Sequence, residues 1–321
     1  MPIRLRPLAA ALLLAAAVPA HGQNAQRAVT ALPAIDSAPL WRMLGALSAD
    51  SMQGRRMGSR GSAMARALII PRLAAAGLVP LAPGYEQVFD VTGGRDTSVH
   101  AGTNVMAMVR GADTSRVIVV SAHYDHLGAR GDQVYNGTDD NASGTAAVLA
   151  IAEYFARNRP RHSMAFVFFD GEESGLRGAR AFVASPPVPL ARIAADVNLD
   201  MVARLDKNEL YAAGASPYPF FAPLLQATAA LSPLKLILGH DTDVGGPQEN
   251  WINQSDQGAF HAAGVPFVYF GVEDHADYHR PTDDIEKVDA GRYLAAVRTI
   301  ADFVRRLDAS LDTVVPIRPA R

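Results

Sequence analysis

The sequence predicts an α/β single domain with a central mixed, mostly parallel β-sheet flanked by helices. Three observations carry that reading. Short apolar runs, of which residues 164–169 (MAFVFF) are the most continuous, are too brief for ordinary helices and suit strands covered on both faces. Amphipathic helical patterns alternate with these runs, as a sheet covered by helices requires. No internal repeat, low-complexity tract or interdomain linker divides the 321 residues, and an apolar content of 49% is enough for one large core.

From the amino end, Arg4 and Arg6 precede an apolar run at 8–18, and 19–23 offers cleavage after Ala20 or Gly22, the pattern of a signal peptide over 1–22. That run is too short to span a bilayer as a helix. The expectation is an exported protein, periplasmic or secreted, soluble after cleavage and without stable membrane association. Residues 23–39 read as a flexible leader, 40–312 as the folded domain and 313–321 as a tail. Helices are expected at 40–49 and 62–76, with Pro71 a kink in the second and Gly77 its stop. Strands at 104–110 and 117–122 flank a turn at 111–115. A helix at 142–157 leads to the strand at 164–169. Further strands are expected at 196–201, 234–238 and 265–270, and further helices at 218–230, 257–263 and 290–311.

Charge and cysteine content narrow the function. Thirty-two acids against thirty bases leave no electrostatic case for nucleic acid or an anionic membrane. The chain has no cysteine, so disulfides, a thiol nucleophile and a diacylated lipoprotein anchor are excluded, and any metal must be held by His, Asp or Glu.

Metal-capable residues recur at the strand ends. His123 and Asp125 lie in SAHYDH after the strand at 117–122, and Asp139 and Asp140 lie in NGTDDNASG ahead of a helix. Glu172 and Glu173 follow the strand at 164–169, Asp200 closes VNLD, and His279 lies in DYHRPTDD after the strand at 265–270. Each alone has an ordinary explanation, such as an Asp capping a helix. Together they form a pattern, because the carboxyl ends of neighbouring parallel strands converge on one crevice. Carboxylates and imidazoles without thiolates suit zinc, cobalt or manganese at a catalytic site with an open position. Two His and three or four acids exceed the needs of one catalytic zinc. They suit two ions roughly 3.5 to 4 Å apart that share a bridging carboxylate.

With these motifs the chain resembles the exported bacterial zinc aminopeptidases of peptidase family M28. The resemblance rests on SAHYDH, NGTDDNASG, FFDGEESGLRG, NLDMV and DYHRPTDDIEKVD in that order. It runs from Trp41, where LSADSMQGRRMGSRG looks like the family's amino-terminal segment, to the region of Leu307. It implies the zinc-dependent exopeptidase (phosphorylase/hydrolase-like) fold, two Zn2+ per chain and peptide substrates. Carried over residue by residue, it implies that His123 and Asp200 hold one zinc, Glu173 and His279 the other, and that Asp139 bridges them. Asp125 would orient the His123 imidazole, since a ligating His generally needs such a partner to set its tautomer. Glu172 matches the general base, drawing a proton from a water held at the metal pair and passing it to the leaving amine. Tyr278 matches a tyrosine that stabilises the oxyanion in some members, and beside His279 it can equally be a packing aromatic.

Two positions depart from the family pattern: Gln257 stands where many relatives have His, and Ala203 where glycine is common. Carboxypeptidase relatives need a cation for the substrate carboxylate, which Arg204 or Arg280 can supply. Glutaminyl cyclases resemble the family but use one zinc and lack the His that matches His123. A non-catalytic peptide-binding protein on this fold would have lost a ligand or the base, and all six positions are present.

Overall fold

Strands that are apolar throughout are stable only if helices cover both sides of their sheet, and the chain folds accordingly. The computed structural model describes residues 31–91 and 101–317. The expected signal peptide and most of the expected leader lie outside the described residues.

Helices α1 (Ser37–Leu47) and α2 (Arg60–Ala75) come first, and the side chains of Asp36 and Ser59 cap them by accepting the N–H of Ala38 and Ser62. Pro71 lies within α2 without ending it, and the chain turns away at Gly77, whose φ of +78° suits glycine. The edge strands β1 (Val79–Pro80) and β2 (Glu86–Asp90) precede the long strands β3 (Ala101–Val109) and β4 (Asp113–His123). A small hairpin of β5 (Gly128–Arg130) and β6 (Gln133–Tyr135) follows. Next come α3 (Gly144–Arg157), β7 (His162–Phe169), α4 (Arg177–Ala184) and β8 (Ile193–Leu199). The remainder is β9 (Glu209–Ala213), α5 (Ala222–Ala229), β10 (Lys235–Leu238), α6 (Gln257–Ala262), β11 (Phe267–Gly271) and α7 (Ala290–Val314).

The main sheet runs β1-β3-β7-β4-β8-β11-β9-β10, with β2 also paired to β3. Its centre, β7-β4-β8-β11, is parallel, and antiparallel pairing begins at β3 on one side and β9 on the other. Side chains alternate between two apolar layers. Ile118, Val120, Phe166 and Phe168 face the larger layer with α1, α2, α3, α5 and α7, while Val119, Val167 and Phe169 face the smaller one with α4 and α6. Each fully buried Phe or Leu contributes about 1.5–3 kcal/mol of transfer free energy, so this central quartet is a stiff platform.

The main difference from expectation is β9. Its sequence, ELYAA, is short and poor in β-branched residues, and it becomes a strand by pairing with β11 and β10. The expected helix at 142–157 begins two residues later, at Gly144, and residues 138–143 ahead of it form an irregular turn in which Asp140 and Asn141 leave helical geometry. Among the described residues no helix is long and apolar enough to cross a membrane. The four parallel strands end side by side, so the segments after β7, β4, β8 and β11 share one edge of the sheet.

Candidate metal centre

His123 is the last residue of β4, and the chain beyond it is held at several points. Thr145 Oγ1 donates to the His123 carbonyl at 2.8 Å, and Tyr124 N donates to Phe169 O at 2.9 Å, which ties the ends of β4 and β7 together. Beneath them lies the guanidinium of Arg55, with no exposure to solvent. It donates to the carbonyls of Leu47, Tyr124, Asn136 and Gly137 at 2.6–2.9 Å. One buried cation therefore ties the segment after β4 to the turn that carries Asp139 and Asp140. Burial lowers the Arg55 pKa to about 10, opposed by the nearby carboxylates of Asp140, Asp125, Asp283 and Glu173.

The turn itself is pinned by Asp283, whose Oδ2 accepts the N–H of Asp139 at 2.9 Å and of Asp140 at 3.2 Å. Asn141 reaches across to β8, donating to Leu199 O at 2.9 Å. In this setting the two aspartates point different ways. Asp140 Oδ1 lies 3.4 Å from His123 Nε2, and its Oδ2 lies 3.0 Å from His279 Nε2 and 3.7 Å from His126 Nδ1.

Asp139 Oδ1 accepts from Ala203 N at 2.6 Å and from Arg204 N at 3.2 Å, and its Oδ2 lies 3.2 Å from His275 Nε2. The expected bridging role of Asp139 is therefore corrected: its carboxylate holds the turn after β8, and Asp140 stands between the imidazoles. Ala203, where the family commonly has glycine, contributes an N–H to that carboxylate.

The remaining expected residues meet at the same place. Asp200 Oδ1 lies 3.2 Å from His123 Nε2, and Glu173 Oε2 lies 3.4 Å from His279 Nε2. Two groups of donor atoms result, His123, Asp140 and Asp200, and His126, Asp140 and Glu173, each within 4.8 Å of one another. Asp140 belongs to both. His126 was missed in the sequence, although it stands three residues after His123 in the same motif.

Asp125 orients its neighbours differently from expectation. Its carboxylate lies 3.7 Å from His123 Nδ1, whereas its main-chain carbonyl lies at 3.1 Å. A carbonyl only accepts, so Nδ1 bears a proton and Nε2 faces Asp140 and Asp200. The Asp125 carboxylate instead accepts the N–H of Glu172 at 3.1 Å, fixing the turn that carries both glutamates.

Electrostatics separate those two glutamates in the protein chain alone. Burial raises the Glu172 pKa well above the carboxylate range, helped by the carboxylates of Asp200, Asp256 and Glu173 and opposed by His123. Burial also raises that of Glu173, but the imidazoles of His126 and His279 outweigh it and hold the group well below the usual range. His279 is pushed up to about 10, burial being outweighed by Asp140 and Glu173. Tyr278 stacks on the His279 ring at 3.9 Å between centroids, and its hydroxyl pKa is raised, first by burial and then by Asp140 and Asp200. A cavity of about 400 Å3 opens over the groups and is lined by Glu172, Glu173, Met201, Asn253, Tyr278 and His279, among others.

The donor set fits a pair of hard or borderline cations. It holds imidazoles and carboxylates alone. Both ring nitrogens of His126 and Oε1 of Glu173 are buried without a hydrogen-bond partner among the described residues, a cost that a cation would relieve. A third group, Asp113, His162 and Asp312, lies at the opposite end of the sheet. There Asp312 is already matched by Arg161 at 2.6 Å and Arg116 at 3.7 Å, so its charge is taken up by guanidinium groups. Of the two departures from the family pattern, Gln257 is buried and structural, accepting from Asn198 at 2.8 Å and donating to Trp251 O at 2.6 Å.

The chain is similar to several known proteins. Over 110 residues the chain is 36% identical to a vacuolar membrane protease of Schizophyllum commune, covering 32% of this chain and 12% of that protein. Over 106 residues it is 36% identical to a probable zinc metalloprotease of Pyrenophora teres f. teres, covering 31% of this chain and 22% of that protein. The chain thus spans only a minor part of these curated relatives. Among solved structures, an aminopeptidase from Aneurinibacillus sp. strain AM-1 superposes with a TM-score of 0.66 at 15% identity, over 89% of this chain and 97% of that one. A zinc aminopeptidase from Bacillus subtilis gives 0.67 at 15% identity, over 90% and 99%. Porphyromonas gingivalis glutaminyl cyclase gives 0.70 at 18%, over 85% and 99%. At such identities the likeness is one of fold. The sequence model of peptidase family M28, however, matches residues 104–304, more than half of the chain and every strand end described above, and the chain belongs to that family.

Proposed function

We propose that this protein is a dizinc aminopeptidase that hydrolyses the N-terminal peptide bond of peptides. The observation that carries the reading is Asp140, whose two carboxylate oxygens face separate groups, His123 with Asp200 and His279 with Glu173, beside Glu172. His123 and Asp200 would hold one zinc, Glu173 and His279 the other, and Asp140 would join them. When bound, the ions supply Lewis acidity to the scissile carbonyl and to water.

The chain's own residues do the rest. Glu172 accepts a proton from the attacking water and returns it to the leaving amine, and its burial among carboxylates, which raises its pKa, suits a group that takes up and carries a proton. Asp125 serves twice: its carbonyl sets the His123 tautomer, and its carboxylate fixes the Glu172 main chain. Tyr278, on the cavity wall, donates its hydroxyl hydrogen to the oxyanion as it develops.

Of the cations a carboxypeptidase would use, Arg204 is engaged by Asp277 at 2.8 Å and Asp206 at 3.2 Å, which leaves that alternative to the exposed Arg280 or to Arg180 on the cavity wall. One experiment tests the function: purified protein digests a peptide library read by mass spectrometry, with and without a chelator. Sequential loss of N-terminal residues that stops on chelation and returns with zinc is expected. Loss from the carboxyl end, or cyclisation of N-terminal glutamine, would replace the reading with carboxypeptidase or cyclase action. Export with cleavage after Ala20 or Gly22 belongs to the same proposal and is checked by the N-terminus of the mature protein.

A further inference from the structure

We propose that His126 is a sixth protein ligand of the metal pair, so that the two positions are unequal. The position beside Glu173 is closed by four donors, His126, His279, Glu173 and Asp140, while the position beside His123 has three. This rests on the two-metal reading above and goes beyond its five ligands.

The geometry begins with a contact that is not a hydrogen bond. His126 Nδ1 and Glu173 Oε1 approach to 2.7 Å, yet neither atom has hydrogen-bond geometry with any partner among the described residues. Both atoms are buried, and a cation held between them would satisfy each of them. His279 stands on the far side of the same carboxylates, its ring centroid 5.9 Å from that of His126 and tilted by 56°. Donors at about 2.0–2.2 Å from a tetrahedral zinc lie about 3.4 Å from one another. The separations in the structure bracket that value: 2.7 Å for His126 to Glu173, 3.7 Å for His126 to Asp140, 3.0 Å for His279 to Asp140 and 3.4 Å for His279 to Glu173.

The chain makes room for this imidazole. Gly137 has a φ of +53°, and a Cβ there would lie 2.4 Å from His126 Cδ2, so a larger residue would displace the ring. His126 is 1% exposed, which leaves it no alternative partner in solvent. On the other side, His123 Nε2 meets Asp200 at 3.2 Å and Asp140 at 3.4 Å among the described residues. A four-donor site is the pattern of tight, closed zinc binding, and a three-donor site leaves a position for substrate. The first zinc therefore fills the Glu173 side, and the second, held more weakly, fills the side open to the reaction.

The test uses the full-length metal-free protein and zinc alone, titrated against a chromophoric chelator, with X-ray absorption recorded at one equivalent. Two binding steps separated by at least ~100-fold are expected, with two imidazoles around the first zinc. His126→Ala should leave one imidazole and weaken the first step by more than the ~10–100-fold typical of losing an outer hydrogen-bond partner. His126→Gln retains a donor that could orient Glu173, so recovery of the wild-type first step in that variant would overturn the ligand assignment. Two zincs with one imidazole each in the wild type would overturn the assignment while leaving the two-metal reading intact. A single zinc carrying two imidazoles, with loss of one in His126→Ala, would support the assignment and overturn the two-metal reading.

Discussion

Replacing Asp140 and Asp139 in turn by asparagine separates a bridging carboxylate from a supporting one, although the residues are adjacent and identical. Asp140 lies within 3.0–3.7 Å of three imidazole nitrogens, those of His123, His126 and His279. Asp140→Asn removes the charge on which both proposed ions depend, and an amide presents one oxygen where two are needed. Losing even an outer-shell partner costs ~10–100-fold in metal affinity, so loss of the shared ligand should exceed that at both positions and leave kcat at background. Asp139→Asn acts on different contacts: two main-chain N–H groups at 2.6 and 3.2 Å and His275 at 3.2 Å. An amide oxygen still accepts from the main chain, so the cost is the charge-assisted part, about 1–3 kcal/mol. That is a lowered unfolding midpoint with zinc content unchanged. The assay is zinc per chain after gel filtration, chelator-competed affinity and thermal unfolding of both variants. An Asp140→Asn protein that keeps two zincs and turnover, while Asp139→Asn loses one, would refute the assignment.

Other consequences follow from the same geometry. Glu172→Gln should lower kcat by ~10²–10⁴ while zinc content stays at the wild-type value, the signature of a proton carrier rather than a ligand. Tyr278→Phe should lower kcat with little change in KM, by up to the ~10²–10³ typical of a single oxyanion donor; an unchanged kcat would assign the ring to packing alone. Arg55→Met strands four buried carbonyls and should destabilise the fold by about 3 kcal/mol or more, read from urea unfolding. For the metal-free protein, His279 has a folded pKa of about 10 against an ordinary 6.5. Its contribution to stability is present below pH 6.5 and is lost as pH rises towards 10. Zinc binding should strengthen over that same interval, because the proton and the metal compete for the ring. Parallel urea midpoints and zinc titrations across pH 6–9 should therefore move in opposite directions.

Much of this was legible because apolar periodicity and strand-end chemistry are local signals. The four central strands, the helices that cover them and the convergence of His123, Glu172, Glu173, Asp200 and His279 all follow from runs of adjacent residues. What was not legible depended on the chain leaving regular geometry. In NGTDDNASG the two aspartates lie ahead of the expected helix, where no periodicity says which one faces the crevice, and the irregular turn at 138–143 turns Asp140 inward and Asp139 towards Ala203. The strand β9 was hidden because its pairing partners, not its composition, make it extended. His126 was visible as the second His of SAHYDH, but its placement depends on space left by Gly137, remote from any pattern of spacing.

The adjacency of Glu172 and Glu173 is the point at which fold and chemistry meet. Two neighbouring carboxylates on a regular strand would point to opposite faces, and on a helix they would diverge by about 100° on one surface, so neither element aims both into one crevice. The chain avoids both by ending β7 at Phe169 and turning through Gly171, whose φ is +74° and where a Cβ would lie 2.4 Å from Met57 Sδ. The Asp125 carboxylate then fixes the Glu172 N–H at 3.1 Å. Beyond the turn, environment alone differentiates the pair. Glu173 is held by two imidazoles and stays ionised, whereas Glu172 is surrounded by carboxylates and favours a proton. A dedicated anion and a proton carrier can thus be encoded by the same residue twice in succession, and exchanging their roles would require moving His126 and His279, not the glutamates. Glu173→Gln should accordingly lose zinc, while Glu172→Gln should keep zinc and lose turnover. Equal zinc loss in the two variants would show that the imidazoles do not divide them.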